Sequence, residues 1–291
     1  MTETVQDLDP VGVVGAGQMG VGVALCFARA GHQVTVTEPS PEARATAPRR
    51  LRRGLRQAVL SGGERPDVAA VLARVHWTAD LADLRRSAFV VECAAERQPL
   101  KEDIFRELDR ICPQHTILAS CTSAVPVAAL AAATSRPDRV LATHFMNPAP
   151  VKTAVEVARG AATSPAALQR TLDLLVSLGK SPVVVADAPG FVTNRVLMLT
   201  INEAATVVHE GTATPAVVDR IFRDCFGHPT GPLATADLIG LDTVVDTLNV
   251  LYAHTNDPRF LPSPLLAKLV AEGRTGRKSA SGFHTYPTAT P

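Results

Sequence analysis

The apolar positions of the chain keep two periods, and the balance between them changes near residue 187. Val11-Gly12-Val13-Val14 is a short apolar run of the kind a buried strand requires. Behind it Met19, Val23, Phe27 and Ala30 recur at helical spacing, and Gly31 stands where a helix-ending glycine belongs. Residues 33–37 alternate as a second strand, and Ser40-Pro41-Glu42 reads as a helix start: a cap, a proline at the first position and an acid in the first turn. Residues 41–75 read as helical, with a break at Gly62-Gly63. Further strands are expected at 88–93, 116–119, 140–143, 153–157 and 182–186, with helices over 99–111 and 164–179. Beyond Asp187 the strands stop. Leu197, Ile201, Ala204 and Val208 form one stripe over 191–210, Thr214-Pro215 caps another helix, and two or three more fit between 233 and 273. Strands alternating with helices and then helices alone predict a doubly wound α/β domain over 1–187, followed by an all-α C-terminal domain over 188–291.

The first turn carries chemistry. Gly15-Ala16-Gly17-Gln18-Met19-Gly20 lies between the first strand and the first helix, and Glu38 follows 18 residues after Gly20 at the end of the second strand. A lone glycine pattern is weak, but strand, loop, helix and acid in this order read as a Rossmann-type dinucleotide site. Gly15 permits the turn, Gly17 lets the backbone approach a pyrophosphate, and Gly20 lets the helix pack closely. The helix N-terminus, opened by Gln18 and Met19, offers its N–H groups to the phosphates. Glu38 is expected to accept from the adenine-ribose hydroxyls. A carboxylate there repels a 2′-phosphate, and Pro39-Ser40 rather than an arginine follows, so the cofactor expected is NAD.

Four residues far apart in sequence then suggest hydride transfer at a carbinol carbon. They are Ser123, His144 in Ala142-Thr143-His144-Phe145-Met146-Asn147-Pro148, Glu156 in Val155-Glu156-Val157, and Asn194 in Pro189-Gly190-Phe191-Val192-Thr193-Asn194-Arg195. Taken singly each has an ordinary reading: a core histidine, a surface carboxylate on a strand, and helix caps for Ser123 and Asn194. Together, Ser123, His144 and Glu156 fall at or near strand ends of an expected parallel sheet, where open α/β sheets bind ligands, and Asn194 begins the first helix beyond it.

Composition narrows the partners. The chain has 291 residues, 46% of them hydrophobic and 20% charged, with a net charge of +1. That is an ordinary globular balance with no electrostatic case for nucleic acid or an anionic membrane. Five lysines stand against 24 arginines, a bias that reflects codon composition more than function. No signal peptide or apolar run of membrane-spanning length is seen. Five cysteines, with no Cys-x-x-Cys pair, point to a reduced, cytoplasmic chain with neither metal nor disulfides.

The chain resembles the L-3-hydroxyacyl-CoA dehydrogenase family, which includes the 3-hydroxybutyryl-CoA dehydrogenases and the gulonate dehydrogenase/lambda-crystallin branch. The resemblance runs from the Gly15 loop through Val90-Val91-Glu92-Cys93-Ala94-Ala95-Glu96, Leu118-Ala119-Ser120-Cys121-Thr122-Ser123 and the His144 and Asn194 segments. It ends in His228-Pro229-Thr230-Gly231-Pro232-Leu233, Asp237-Leu238-Ile239-Gly240-Leu241-Asp242 and Gly276-Arg277-Lys278-Ser279. It implies that His144 is the base for the 3-hydroxyl and that Glu156 fixes its tautomer. It implies that Ser123 and Asn194 orient the substrate, with Asn147 beside them, and that Glu96 and Lys101 lie near the nicotinamide. It also implies a homodimer through the helical domain.

Three positions depart from that pattern. Cys121 stands where the family has Asn, Ala124 where it has a second Ser, and Lys152 comes one position early in Pro150-Val151-Lys152-Thr153-Ala154-Val155-Glu156. If the strand is regular, Lys152 shares Glu156's face and reads an anionic part of the substrate. The reading is an NAD-dependent oxidoreductase interconverting a short L-3-hydroxyacyl thioester, such as 3-hydroxybutyryl-CoA, and its 3-oxoacyl thioester. A hydroxyacyl group on an acyl carrier protein, as in polyketide extender-unit biosynthesis, comes second. A free sugar acid such as gulonate comes third. A non-catalytic crystallin-like relative is the rival from another class. The β-hydroxyacid dehydrogenases, which need a lysine in the helical domain, are excluded by the absence of lysine between 181 and 267.

Overall fold

A computed structural model describes residues 8–63 and 65–287. It divides into two compact units, Met1–Ala188 and Pro189–Pro291.

The first unit is built on an eight-stranded sheet of order β3-β2-β1-β4-β5-β6-β7-β8. Its strands are β1 (Val11–Val14), β2 (Val34–Thr37), β3 (Val75–Thr78), β4 (Phe89–Glu92), β5 (Ile117–Ser120), β6 (Val140–Phe145), β7 (Ala154–Arg159) and β8 (Ser181–Ala186). Six helices cross between them: α1 (Gln18–Arg29), α2 (Pro41–Leu60), α3 (Val68–Ala73), α4 (Gln98–Ile111), α5 (Val127–Ala132) and α6 (Pro165–Ser177). Every residue of β1, β4, β5 and β6 is buried, which is what strands covered on both faces by helices require. Strand order reverses between β1 and β4, so the crevice at their carboxyl ends is the place for a dinucleotide.

Two expectations are corrected. The helical reading of 41–75 missed β3, whose Val75-His76-Trp77-Thr78 pairs with β2 in parallel register. Four residues are too few to show a period. The sheet is also not wholly parallel. β7 runs antiparallel to β6, and β8 runs parallel to β7. The reason is the length of the connection: a parallel crossover takes about a dozen residues or more, and the segment between Phe145 and Ala154 is shorter.

The second unit is helical: α7 (Thr193–His209), α8 (Pro215–Phe226), α9 (Pro232–Ile239), α10 (Leu241–Thr255) and α11 (Pro264–Ala271). Its core gathers Ile201, Leu233, Val244, Leu248, Phe260 and Leu266. Two buried aspartates fasten it. Asp219 accepts from the N–H groups of Leu233 and Ala234 at the start of α9, and from His284 Nε2 at 2.7 Å. Asp237 accepts from the Phe283 and His284 N–H groups and from the Tyr286 hydroxyl, each at 2.9 Å. Among the described residues no helix is long and apolar enough to cross a membrane.

Candidate active site

The glycine loop has the form a pyrophosphate needs. β1 ends at Val14, and Gly15 turns the chain with φ +97°, where a Cβ would meet the Cys93 carbonyl oxygen at 2.9 Å. At Gly20 a Cβ would lie 1.9 Å from the Gly15 carbonyl oxygen, so only glycine lets α1 start this close to the turn. A Cβ at Gly17 would meet nothing within 4 Å, leaving the backbone open at the N-terminus of α1. Gly17 caps α1 without a side chain, so the first N–H groups of the helix are left for an anion.

Glu38 follows β2 directly. Its Oε2 accepts from the Ala16 N–H at 2.9 Å and its Oε1 from the Ser40 N–H at 3.0 Å, which holds the carboxylate at the mouth of the loop. Arg44 is turned onto the Glu38 carbonyl oxygen at 2.5 Å, and its Nη1 also reaches the Pro39 carbonyl oxygen at 3.4 Å. The loop, the exposed helix N-terminus and the carboxylate fit NAD.

The antiparallel turn of β7 brings two of the candidate residues together. In register, His144 faces Glu156. His144 Nδ1 lies 3.0 Å from Glu156 Oε2, and both side chains are buried. A carboxylate only accepts, so Nδ1 carries the hydrogen and the lone pair of the neutral ring sits on Nε2. The sequence placed Glu156 near the end of a parallel strand. It is the third residue of an antiparallel one, and that is what brings it opposite His144.

Ser123 is held from a different direction. Glu92, Lys101 and Glu96 form a chain of charge leading to it. Lys101 is fully buried and its Nζ donates to both Glu92 oxygens at 2.9 Å, with Glu96 Oε2 at 3.3 Å. Glu92 also accepts from Ser120 Oγ at 2.6 Å and the Ala94 N–H at 2.6 Å. Glu96 Oε1 then accepts from the hydroxyl of Thr122, from the N–H groups of Ser123 at 2.8 Å and Ala124 at 3.0 Å, and from Ser123 Oγ at 3.3 Å.

Burial pushes the Glu96 carboxyl up, but the Lys101 charge and these donors outweigh it and hold the pKa below its ordinary value. Burial pushes the Lys101 ammonium down, yet Glu92 and Glu96 together keep it above its ordinary value. Glu92 was missed as a site residue. The signal was present: a carboxylate closing an otherwise apolar strand, with a lysine nine residues on.

The remaining positions separate. Gln18 Nε2 donates to Asn147 Oδ1 at 3.0 Å, joining the helix that opens the cofactor loop to the segment after His144. Between α1 and α2 that segment borders a cleft of about 470 Å³, whose lining includes Gln18, Arg50, Arg53 and Asn147. Lys152 is exposed and lies before β7, which begins at Ala154, so strand alternation does not reach it and the argument placing it on Glu156's face fails. Another lysine does shape this segment: Lys180 Nζ donates to the carbonyl oxygens of Ala149 at 2.6 Å and Lys152 at 2.8 Å. Asn194 lies in the first turn of α7, after Phe191 with φ +48°; the cap position is Val192, so Asn194 is not the cap. Ser123 is not a cap either, since α5 starts from Pro126.

The chain is similar to known proteins over nearly its whole length. Residues 10–188 match the family model of the 3-hydroxyacyl-CoA dehydrogenase NAD binding domain, and residues 190–286 that of the C-terminal domain. A probable 3-hydroxybutyryl-CoA dehydrogenase of Bacillus subtilis is 43% identical over 98% of this chain and 99% of its own. The crystal structure of Mycobacterium tuberculosis FadB2 is similar at a TM-score of 0.92 and 40% identity, covering 96% of this chain and 99% of that one. The (S)-3-hydroxybutyryl-CoA dehydrogenase PaaH1 of Ralstonia eutropha gives 0.90 and 38%, over 97% and 100%.

Proposed function

We propose that this chain, which belongs to the 3-hydroxyacyl-CoA dehydrogenase family, interconverts a short L-3-hydroxyacyl thioester such as 3-hydroxybutyryl-CoA and its 3-oxoacyl thioester. The observation that carries this reading is the buried His144–Glu156 pair in a domain whose glycine loop fits NAD. Bound NAD supplies the hydride acceptor. His144 Nε2 takes the proton of the 3-hydroxyl as the hydride leaves C3, because Nδ1–H is committed to Glu156. The imidazolium that forms faces a buried carboxylate, which favours the transfer. In the reverse direction the same imidazolium returns the proton to the carbonyl oxygen. A positioned base of this kind contributes ~10²–10⁴-fold in rate.

Ser123 Oγ and Asn194 hydrogen-bond the 3-oxygen and the acyl carbonyl and so orient C3. Glu96 fixes the Ser123 backbone from below, and Asn147 keeps the β6–β7 segment against α1. With Lys152 outside the strand, Arg50 and Arg53 in the cleft between α1 and α2 are better placed to meet the anionic end of a CoA thioester. The helical unit exposes the apolar side chains of Val196, Val217, Ile221, Phe226 and Leu238, which supports assembly as a homodimer. A reducing, cytoplasmic setting belongs to the same reading, on the ground of five cysteines with no Cys-x-x-Cys pair.

NADH formation from L-3-hydroxybutyryl-CoA, set against the same acyl group on an acyl carrier protein, tests the reading. Turnover of the CoA thioester supports it. Turnover only on the carrier protein moves the enzyme to biosynthesis of extender units, and turnover of neither, with intact NADH binding, points to the non-catalytic relative.

A further inference from the structure

Cys93 and Cys121 follow directly on β4 and β5. The last paired residues of those strands are Glu92 and Ser120, so the two cysteines are the next neighbours in register. The Cys121 N–H donates to the Glu92 carbonyl oxygen at 2.7 Å, which keeps the strands together to that point. Registered residues of adjacent strands share a face and lie about 4.8 Å apart. A disulfide needs Cα atoms roughly 4.4–6.8 Å apart, so the sheet itself sets the spacing. Both residues are half-buried, side by side at the ends of their strands.

Their position gives a bridge consequences. Cys93 packs on the glycine loop: a Cβ at Gly15 would meet its carbonyl oxygen at 2.9 Å, and one at Gly20 would come within 3.4 Å of its Cβ. Cys121 lies close enough to the backbone of Phe145, the residue after His144, for that backbone to lower its pKa. Beyond the two cysteines the chain reaches Glu96 and Ser123, which are bonded to each other. A bridge therefore ties together strand ends that carry both the cofactor loop's floor and the Ser123 segment.

We propose that Cys93 and Cys121 are a redox modification site, the dithiol form competent and the bridged form impaired in cofactor binding and turnover. The bridge forms by exchange with a low-molecular-weight disulfide. The Cys121 thiolate attacks one sulfur of that disulfide, forms a mixed disulfide and releases one thiolate. Cys93 then attacks the Cys121 sulfur, closing the Cys93–Cys121 bond and releasing the second. Two protein thiols are oxidised, one small disulfide is reduced to two thiols, and the protein's two protons end on them. Cys121 is the attacking group. The neighbouring Cys93 thiol, with further lowering by the Phe145 backbone and Lys101, outweighs burial and lowers its pKa, whereas the neighbouring Cys121, with burial, raises that of Cys93.

The effect on turnover rests on the dehydrogenase reading; the formation of the bridge and its effect on NADH binding do not. The test is titration of the full chain, as Cys225→Ser to remove the exposed thiol, with oxidised glutathione. Free thiols under denaturing conditions, a peptide joining residues 93 and 121, NADH binding and turnover are read together. The expected result is loss of two thiols per chain, the cross-linked peptide, and at least a tenfold fall in NADH affinity and turnover, all restored by dithiothreitol. Cys93→Ala and Cys121→Ala, each compared with its own reduced state, should form no bridge and keep that ratio near one. Failure to form the bridge, a stable glutathione adduct in its place, or a bridge that leaves NADH binding unchanged overturns the proposal. A fully reduced protein that binds NADH but turns over no thioester counts against the dehydrogenase reading instead.

Discussion

His144 and Glu156 are 12 residues apart and meet because β7 doubles back on β6. At the residue scale the sequence made the pair visible as types, a base and a carboxylate, but gave the wrong reason for their meeting. The true signal was the short connection, which forbids a parallel crossover. Removing the charge from the carboxylate separates orientation from binding. Glu156→Gln is expected to lower kcat about 10²-fold with little change in KM, measured by steady-state NADH formation.

Lys101 is the other residue on which the site leans. Lys101→Met leaves Glu92 buried without a cation and should cost about 3–5 kcal/mol, measured by urea unfolding. The pH dependence follows from two shifts of opposite sign. Glu96 is lowered, so its share of stability is present above its unfolded value near ~4.3 and is lost as pH falls through its folded value. Lys101 is raised, so its share is present below ~10.4 and is lost as pH rises through its folded value. The gap between wild type and Lys101→Met should narrow as pH falls below ~4.3 and again as it rises above ~10.4.

At the element scale the helices that carry their own start signal were the most legible. Ser40 caps α2, Ser164 caps α6 and Thr214 caps α8, each with proline at the next position. The strands of the buried sheet were legible as apolar runs, but β3 was not, and neither was the true start of β7. Lys152 shows the cost: a face was assigned by alternation to a residue that lies before the strand begins. The lysine that matters to this connection is Lys180, which grips two carbonyl oxygens of the segment between β6 and β7. Lys180→Ala is expected to cost about 2 kcal/mol, seen as a fall in Tm of roughly 4–8 °C by scanning calorimetry.

At the scale of the whole molecule, the change from alternating strands and helices to helices alone announced both halves of the chain, and the spaced motifs announced the family. Quaternary structure is not written in either. It depends on which apolar side chains are left uncovered, and these are found only once the helices of the second unit are packed. Exposure of Val196, Val217, Ile221 and Phe226 leads us to expect a dimer in solution, with light scattering giving twice the chain mass. Val217→Glu with Ile221→Glu should shift that mass toward the monomer while far-ultraviolet circular dichroism stays unchanged.

The central claim is that His144, oriented by Glu156, moves the proton while NAD takes the hydride. The most direct test is NADH formation from L-3-hydroxybutyryl-CoA by wild type and His144→Ala, with NADH binding measured on both. Turnover by wild type that falls ~10²–10⁴-fold in His144→Ala, with NADH affinity retained, is the predicted result. Turnover that survives the substitution would contradict the account and assign the proton to another group.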